Sequence, residues 1–210
     1  MSKTEPTTVQ LTICPYGDLK LSIQTSTVNA TYLVSSHQLG CASAVFRASL
    51  GPSSGFTEAI NLHHSVSDDL IYEMRIAEEL GFYPAAMAVV LYVIHAQLQH
   101  VPGSIGFKNL LDIAIIYDHY ECAEEMVPWD KVWMKPCERF ALKPGYEDWL
   151  FIAYVFGNQE LFGKITHAFA RNGVIADNGK FGEVVDYKVR KMHSHLPEGI
   201  TCKASCCIMT

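Results

Sequence analysis

The stretch from Ala85 to Leu98 is apolar on nearly every side. A helix without a polar face cannot lie on a surface, so the rest of the chain has to be built around it. Tyr83-Pro84 starts it, because proline suits the first helical turn, where a missing N–H leaves no bond unmade. Pro102-Gly103 ends the unit. Its apolar run, Ala85 to Ile94, is about half the ~20 residues needed to cross a bilayer, which makes it a core helix rather than a span.

Composition agrees with a packed core. Of 210 residues, 49% are hydrophobic and 18% charged, a globular balance in a chain long enough for one domain and an appendage. The net charge of −6 argues against nucleic acid as a partner, since such domains carry a basic stripe for phosphates. Lysines and arginines are scattered, and the densest group is Lys188, Arg190 and Lys191. The first ten residues are polar, with Glu5 and Pro6 and no apolar signal region, so an intracellular protein, cytoplasmic or nuclear, is expected. The seven cysteines are then expected as free thiols.

Upstream of the core helix, Leu19, Leu21 and Ile23 alternate with Lys20 and Ser22, the period of a half-buried strand. A polar turn is expected from Gln24 to Thr31, then a short strand at Tyr32-Leu33-Val34. Ser35-Ser36 opens a helix holding Leu39, Ala42, Ser43, Phe46, Ala48 and Leu50, and the stretch closes on Gly55-Phe56-Thr57-Glu58. Val9, Leu11 and Ile13 alternate as an extra strand before Pro15. A further strand is expected at Ile71–Leu80 or at Ala59–Leu62, with Ser65–Asp69 as a polar loop.

Beyond the core helix, Asn109–Tyr117 reads as a helix, broken at Asp118-His119-Tyr120 and resumed at Cys122–Val127. Trp129 and Trp133 mark another turn or two, and Pro136 and Pro144 bracket a linker. Tyr146–Phe156 and Gln159–Ala170 read as a helix pair joined at Gly157-Asn158, with Leu161, Phe162, Ile165, Ala168 and Phe169 as the inward stripe. Lys180–Arg190 is expected as a short helix.

Two strands, a polar-capped helix with Ala42-Ser43-x-x-Phe46, then Phe-x-Glu resemble the start of a BTB/POZ domain. In fungal-type members the strand pair is followed by a proline-containing helix ending in Ile-His, matched by Pro84 to Ile94-His95. A helix of the form L-x-x-A-x-x-Y-D-x-Y follows, matched by Leu111-x-x-Ala114-x-x-Tyr117-Asp118-x-Tyr120. Trp129, Trp133 and Trp149-Leu150-x-Ile152-Ala153-Tyr154 look like the helical extension of those proteins. The resemblance covers about residues 17–173. It implies an α/β fold: a small mixed sheet capped by a helical cluster, with a C-terminal helical extension. The expected divisions are 1–16, an N-terminal segment; 17–135, the BTB/POZ-like domain; 136–173, the extension; and 174–210, a tail.

The resemblance also implies a protein-interaction module, an adaptor or scaffold with self-association as one mode, rather than an enzyme. Its partners dock on helix faces and sheet edges through a few anchors. Trp133 and Trp149 are the candidate anchors. Animal members usually carry His-Lys or His-Arg where this chain has Ser35-Ser36, and the basic residue lines a charged pocket with an acidic one matching Asp18. Without that cation the candidate self-association surface is Val9, Leu11 and Ile13, with Asp18 as the competing position. Cullin-type ubiquitin-ligase binding often goes with a hydrophobic-x-Glu signature after the central helix, and Gln99–Phe107 holds no glutamate.

Other chemistries are weaker. Gly51-Pro52-Ser53-Ser54-Gly55 fits the G-x-S-x-G pattern of serine hydrolases, with Asp186 and then His193 or His195 in the right order. That elbow needs a strand before it, and a helix is expected there. His193, His195, Cys202, Cys206 and Cys207 supply soft ligands, but in no recognised metal spacing. Cys207-Ile208-Met209-Thr210 fits C-a-a-X, which would tether the scaffold to a membrane, although threonine is an unusual last residue. No cofactor is expected.

Overall fold

Alternation of apolar and polar side chains lays down the sheet. In the computed structural model, which describes residues 5–68, 70–76, 83–143, 146–175, 181–185 and 188–191, four strands form a mixed sheet. They are β1 (Thr7–Thr12), β2 (Leu19–Gln24), β3 (Val28–Val34) and β4 (Tyr72–Ile76). Their order is β1-β3-β2-β4, with β2 antiparallel to β3 and the two outer pairings parallel. Leu19, Leu21, Ile23, Ala30, Tyr32, Val34 and Ile76 are buried on one face. Lys20, Thr31, Glu73 and Arg75 occupy the other, the one-sided pattern open sheets favour.

The β2–β3 connection is tighter than expected. Thr25 Oγ1 accepts from the Val28 N–H and donates to the Val28 carbonyl, both at 2.9 Å, so the turn ends at Thr27. Val28 to Thr31, expected as turn, are strand, and Ala30 is buried. The strand expected at 71–80 or 59–62 falls at Tyr72–Ile76, whereas residues 59–62 are helical. Gly17 is needed just before β2, because a Cβ there would stand 2.5 Å from the Val34 carbonyl oxygen.

Eight α-helices among the described residues complete the fold: α1 (Ser36–Ala42), α2 (Ala44–Leu50), α3 (Thr57–Ser67), α4 (Pro84–Ile94), α5 (Phe107–Tyr120), α6 (Ala123–Cys137), α7 (Trp149–Val155) and α8 (Gln159–Asn172). None is long and apolar enough to cross a membrane. The single helix expected after Ser36 is two. Ser43, extended at φ −134° and ψ 125°, breaks it; its hydroxyl accepts from the Phe46 N–H at 3.0 Å, capping α2, and donates to the Tyr120 carbonyl at the end of α5. Phe46 and Tyr120 stack above that bond with ring centres 4.5 Å apart.

The helix α4 is the centre. Pro84 opens it, Ala86, Met87, Val90, Leu91, Val93 and Ile94 are buried, and the Tyr32 hydroxyl donates to the Pro84 carbonyl at 2.7 Å. It ends at Ile94, four residues earlier than expected. His95 caps it, and Ala96 turns the chain with φ 54°. The expected break at residues 118–120 lies one step later, since α5 runs through Tyr120 and stops at Glu121, whose φ is 50°. α6 crosses the boundary expected at residue 135, and Pro136 lies inside it rather than in a linker. Likewise the sheet crosses the boundary expected at residue 16, because β1 pairs with β3. The extension packs onto the domain, α7 against α5 and α8 against α7.

A helix is expected over 180–190; the described residues there, 181–185 and 188–190, lie instead in a small antiparallel sheet of β5 (Gly173–Ile175), β6 (Phe181–Val185) and β7 (Lys188–Lys191). Val184, Val185 and Val189 are β-branched and favour that state over a helix.

His95 is a satisfied core histidine that ties the end of α4 to the start of α1. Its Nδ1 lies 2.9 Å from the Leu91 carbonyl and its Nε2 accepts from the Ser35 N–H at 3.0 Å. Only the neutral ring fits both partners. Burial holds its pKa below the usual 6.5, although the bond its ring donates to the Leu91 carbonyl opposes the shift. The folded protein therefore binds this proton less readily than the unfolded chain. The stability His95 contributes is full above about pH 6.5 and drains as pH falls below it. The melting temperature of the wild type should fall more steeply from about pH 7 to 5 than that of His95→Gln. Parallel profiles would show that His95 is not the group that titrates.

Candidate interaction surfaces

Asp18 and Ser36 meet, but not as a charged pocket. Asp18 precedes β2 and Ser36 is the first residue of α1; the Asp18 carboxylate accepts from the Ser36 N–H at 2.8 Å and from the Ser36 hydroxyl at 2.6 Å. An acidic group at a helix N-terminus also answers the helix dipole. Ser36 brings no cation to Asp18, and serine satisfies the carboxylate by two hydrogen bonds instead. Asp18→Ala should cost about 1–2 kcal/mol. Chemical denaturation checks this, and a midpoint unmoved from wild type would show that the pair contributes nothing.

These two residues stand at one end of a groove of about 420 Å³ between α1, α2 and α3. Phe46, Leu50, Leu62 and Val66 supply apolar wall, while His37, Arg47 and His63 are exposed beside it. Ile60 and Val66, on the same helix as His63, are 47% and 52% exposed. Cys41 lies one turn after His37, with its sulfur 3.9 Å from Nδ1. Sequence reasoning placed Asp18 and Ser36 here but missed the α3 wall. Its signal was present, as Ala59, Leu62 and Val66 recur at helical spacing.

A second groove, of about 460 Å³, lies beside β4, with Phe56, Met74, Ile76 and Tyr120 among its walls and Glu58, Arg75 and His119 at its margins.

The two tryptophans are not exposed anchors. Trp133 and Trp149 are both 0% exposed. Trp133 donates from Nε1 to the Pro102 carbonyl at 2.8 Å and stacks on Trp129 with centres 5.5 Å apart. Trp149 lies against Phe107, 6.0 Å between centres, with its Nε1 buried and without an acceptor among the described residues. Their area is spent on holding α6 and α7 to the domain.

Val9 and Leu11 lie on β1 and are half-buried against the core; Ile13, just past its end, is buried. The strand is at the sheet edge, where strand addition requires it.

Ser53 sits in the turn that joins α2 to α3, where the Ser54 N–H donates to the Gly51 carbonyl at 2.9 Å. A helix precedes it, so the strand-to-helix elbow of a hydrolase is not formed. Asp186, His193, His195, Cys202, Cys206 and the lipidation candidate Cys207 lie outside the described residues. Cys14, Cys41, Cys122 and Cys137 carry free thiols, and no group of three or more acidic, histidine or cysteine side chains among the described residues is arranged to hold a metal ion. No protein-family model matches the chain, and no curated protein matches its sequence.

Proposed function

We propose that the chain is a protein-interaction module of the BTB/POZ type, an adaptor or scaffold that works by docking and not by catalysis. The observation that carries this reading is the open groove between α1, α2 and α3. Apolar wall from Phe46, Leu50, Leu62 and Val66, with polar and charged side chains beside it, is the make-up of a protein-docking surface. The order of elements agrees with the resemblance in part: a strand pair, a helix opened at Ser36, a proline-opened central helix and the helix that follows it. The partner is a protein that places an apolar side chain or two into the groove. Cullin binding is not needed for this reading, and Gln99–Phe107 offers no glutamate for it.

Val66→Glu tests the proposal, because Val66 is exposed and its replacement leaves the core intact. The tagged wild type, recovered from cells under reducing conditions and analysed by mass spectrometry, should bring down a near-stoichiometric protein that Val66→Glu loses at least several-fold. Equal recovery by the variant would remove the groove as the docking surface.

A further inference from the structure

Cations that look scattered in the sequence are gathered by the helix that carries them. Lys135 lies in the last turn of α6, and the chain continues into a short 3-10 turn, Glu138–Phe140. The Ala141 and Lys143 N–H groups donate to the Glu138 and Phe140 carbonyls at 2.9 Å, which keeps the path helical as far as Lys143. Lys135, Arg139 and Lys143 recur every four residues along it, with Lys131 one turn earlier, and all four are exposed. Arg139 and Lys143 converge on one ring: the guanidinium stands 4.8 Å and the ammonium 5.0 Å from the centre of Phe140. Phe140 is stacked on Tyr146, 5.1 Å between centres, and Tyr146 packs on Phe107 of α5 at 4.8 Å. The two charges therefore stand on a platform fixed to the domain.

Lys135, Arg139 and Lys143 have no carboxylate within ion-pair distance among the described residues. Glu138 lies between them in sequence, and Glu147 borders the same small cavity as Lys143. Acids are not scarce: they outnumber bases 22 to 16 in a chain of net charge −6. On α8 the exposed Lys164 has its partner, Glu160, at 2.6 Å. Like charges gathered at one ring repel, and carboxylates brought by a partner relieve that repulsion. Apolar surface flanks the cations: Leu142 is 59% exposed and Val132, one turn before Lys135, is 42% exposed.

We propose that this face of α6 and the 3-10 turn docks an acidic helix of a partner protein, with an apolar side chain of that helix set against Leu142 or Val132. The surface shares no residue with the groove between α1, α2 and α3 and does not depend on it. Spacing selects a helix. Four residues of helix rise about 6 Å, so a partner helix with acids at i, i+4 and i+8 presents carboxylates at the intervals of the cations. Charge-assisted pairs with a few apolar contacts then hold it. An anionic bilayer is a poorer match. It meets the negative chain as well as the stripe, and polybasic recruitment takes clusters of about four to eight cations, whereas Glu138 interrupts this one. Nucleic acid meets the same net charge.

The probe is a fluorescein-labelled, alanine-rich helical peptide of about 20 residues, with three glutamates four residues apart and leucines beside them. Its counterpart carries glutamines in their place, and circular dichroism checks that both are helical. Fluorescence anisotropy with the full chain in reducing buffer should show the glutamate peptide bound, and the glutamine peptide bound about tenfold more weakly. Raising salt should weaken the first and hardly change the second. Lys135→Gln, Arg139→Gln and Lys143→Gln together should also weaken the glutamate peptide about tenfold. The same loss of charge on other surfaces, in Lys20→Gln, Arg75→Gln and Lys108→Gln together, should weaken it by no more than about twofold. Lys135→Gln alone, with a loss of about twofold, keeps the test should the first triple variant melt early.

No binding of the glutamate peptide, equal binding of the two peptides, or equal losses in the two triple variants would each overturn the proposal. Loss of the peptide in Val66→Glu would place it in the groove and overturn the proposal as well. Vesicles of phosphatidylcholine and phosphatidylserine in equal parts form a second arm. Wild type that sediments with them, and does so no longer when Lys135, Arg139 and Lys143 are neutralised, would assign this face to a membrane instead of a protein.

Discussion

Trp133→Ala should lower the melting temperature by roughly 6–20 °C. The side chain is fully buried in α6, stacked on Trp129 and bonded to the Pro102 carbonyl. Truncating a buried tryptophan costs about 3–5 kcal/mol, and in a chain of this size each kcal/mol moves the melting point by about 2–4 °C. Trp133→Phe separates the two contributions. It keeps most of the ring packing but leaves the Pro102 carbonyl without its donor, a smaller loss of about 1–3 kcal/mol. Differential scanning calorimetry reads both. A Trp133→Ala protein that melts with the wild type would mean that α6 is not docked through this residue.

Leu91→Ala should be nearly as damaging. Leu91 is 0% exposed in the middle of α4 and its carbonyl accepts from His95. A buried leucine cut to alanine costs about 2–5 kcal/mol, against a typical total stability of about 5–15 kcal/mol. Urea unfolding should show a lower midpoint with the same slope, since the surface exposed on unfolding hardly changes. An unmoved midpoint would contradict the placement of α4 at the centre.

The central helix was legible because two independent signals agreed, Pro84 at its first turn and apolar side chains on every face. β2 was legible from strict alternation. The misplacements share a physical cause: local sequence cannot report a distant partner. Ser43 fits inside a helix by composition, and what breaks the helix is the Tyr120 carbonyl, 77 residues away. Asn29 and Thr31 look like turn residues, but Ala30 between them is buried and pulls them into β3. Trp133 and Trp149 were candidates for exposure because tryptophan serves interfaces and cores alike. Pro102 and Phe107, which occupy them here, lie tens of residues away.

The candidate surfaces were legible in part for the same reason. The resemblance brought positions 18 and 36 together, but serine's ability to satisfy a carboxylate through both its N–H and its hydroxyl was not foreseen. The alternating segment at Val9 and Leu11 gave the strand, and only the sheet order showed that it lies at the edge among the described residues. The α3 wall of the groove was hidden among polar residues, His63, His64 and Ser65, that suggest a loop.

The most direct test of the account is to ask what touches the groove in the cell. Benzoylphenylalanine placed at His63, exposed on the groove wall, can be compared with the same probe at Lys164, exposed on α8. On irradiation, the account predicts a discrete cross-linked protein at position 63 that is absent or much weaker at position 164, and that Val66→Glu removes. Equal or no protein adducts at the two positions, in cells where the chain is expressed and folded, would contradict a docking role for this surface.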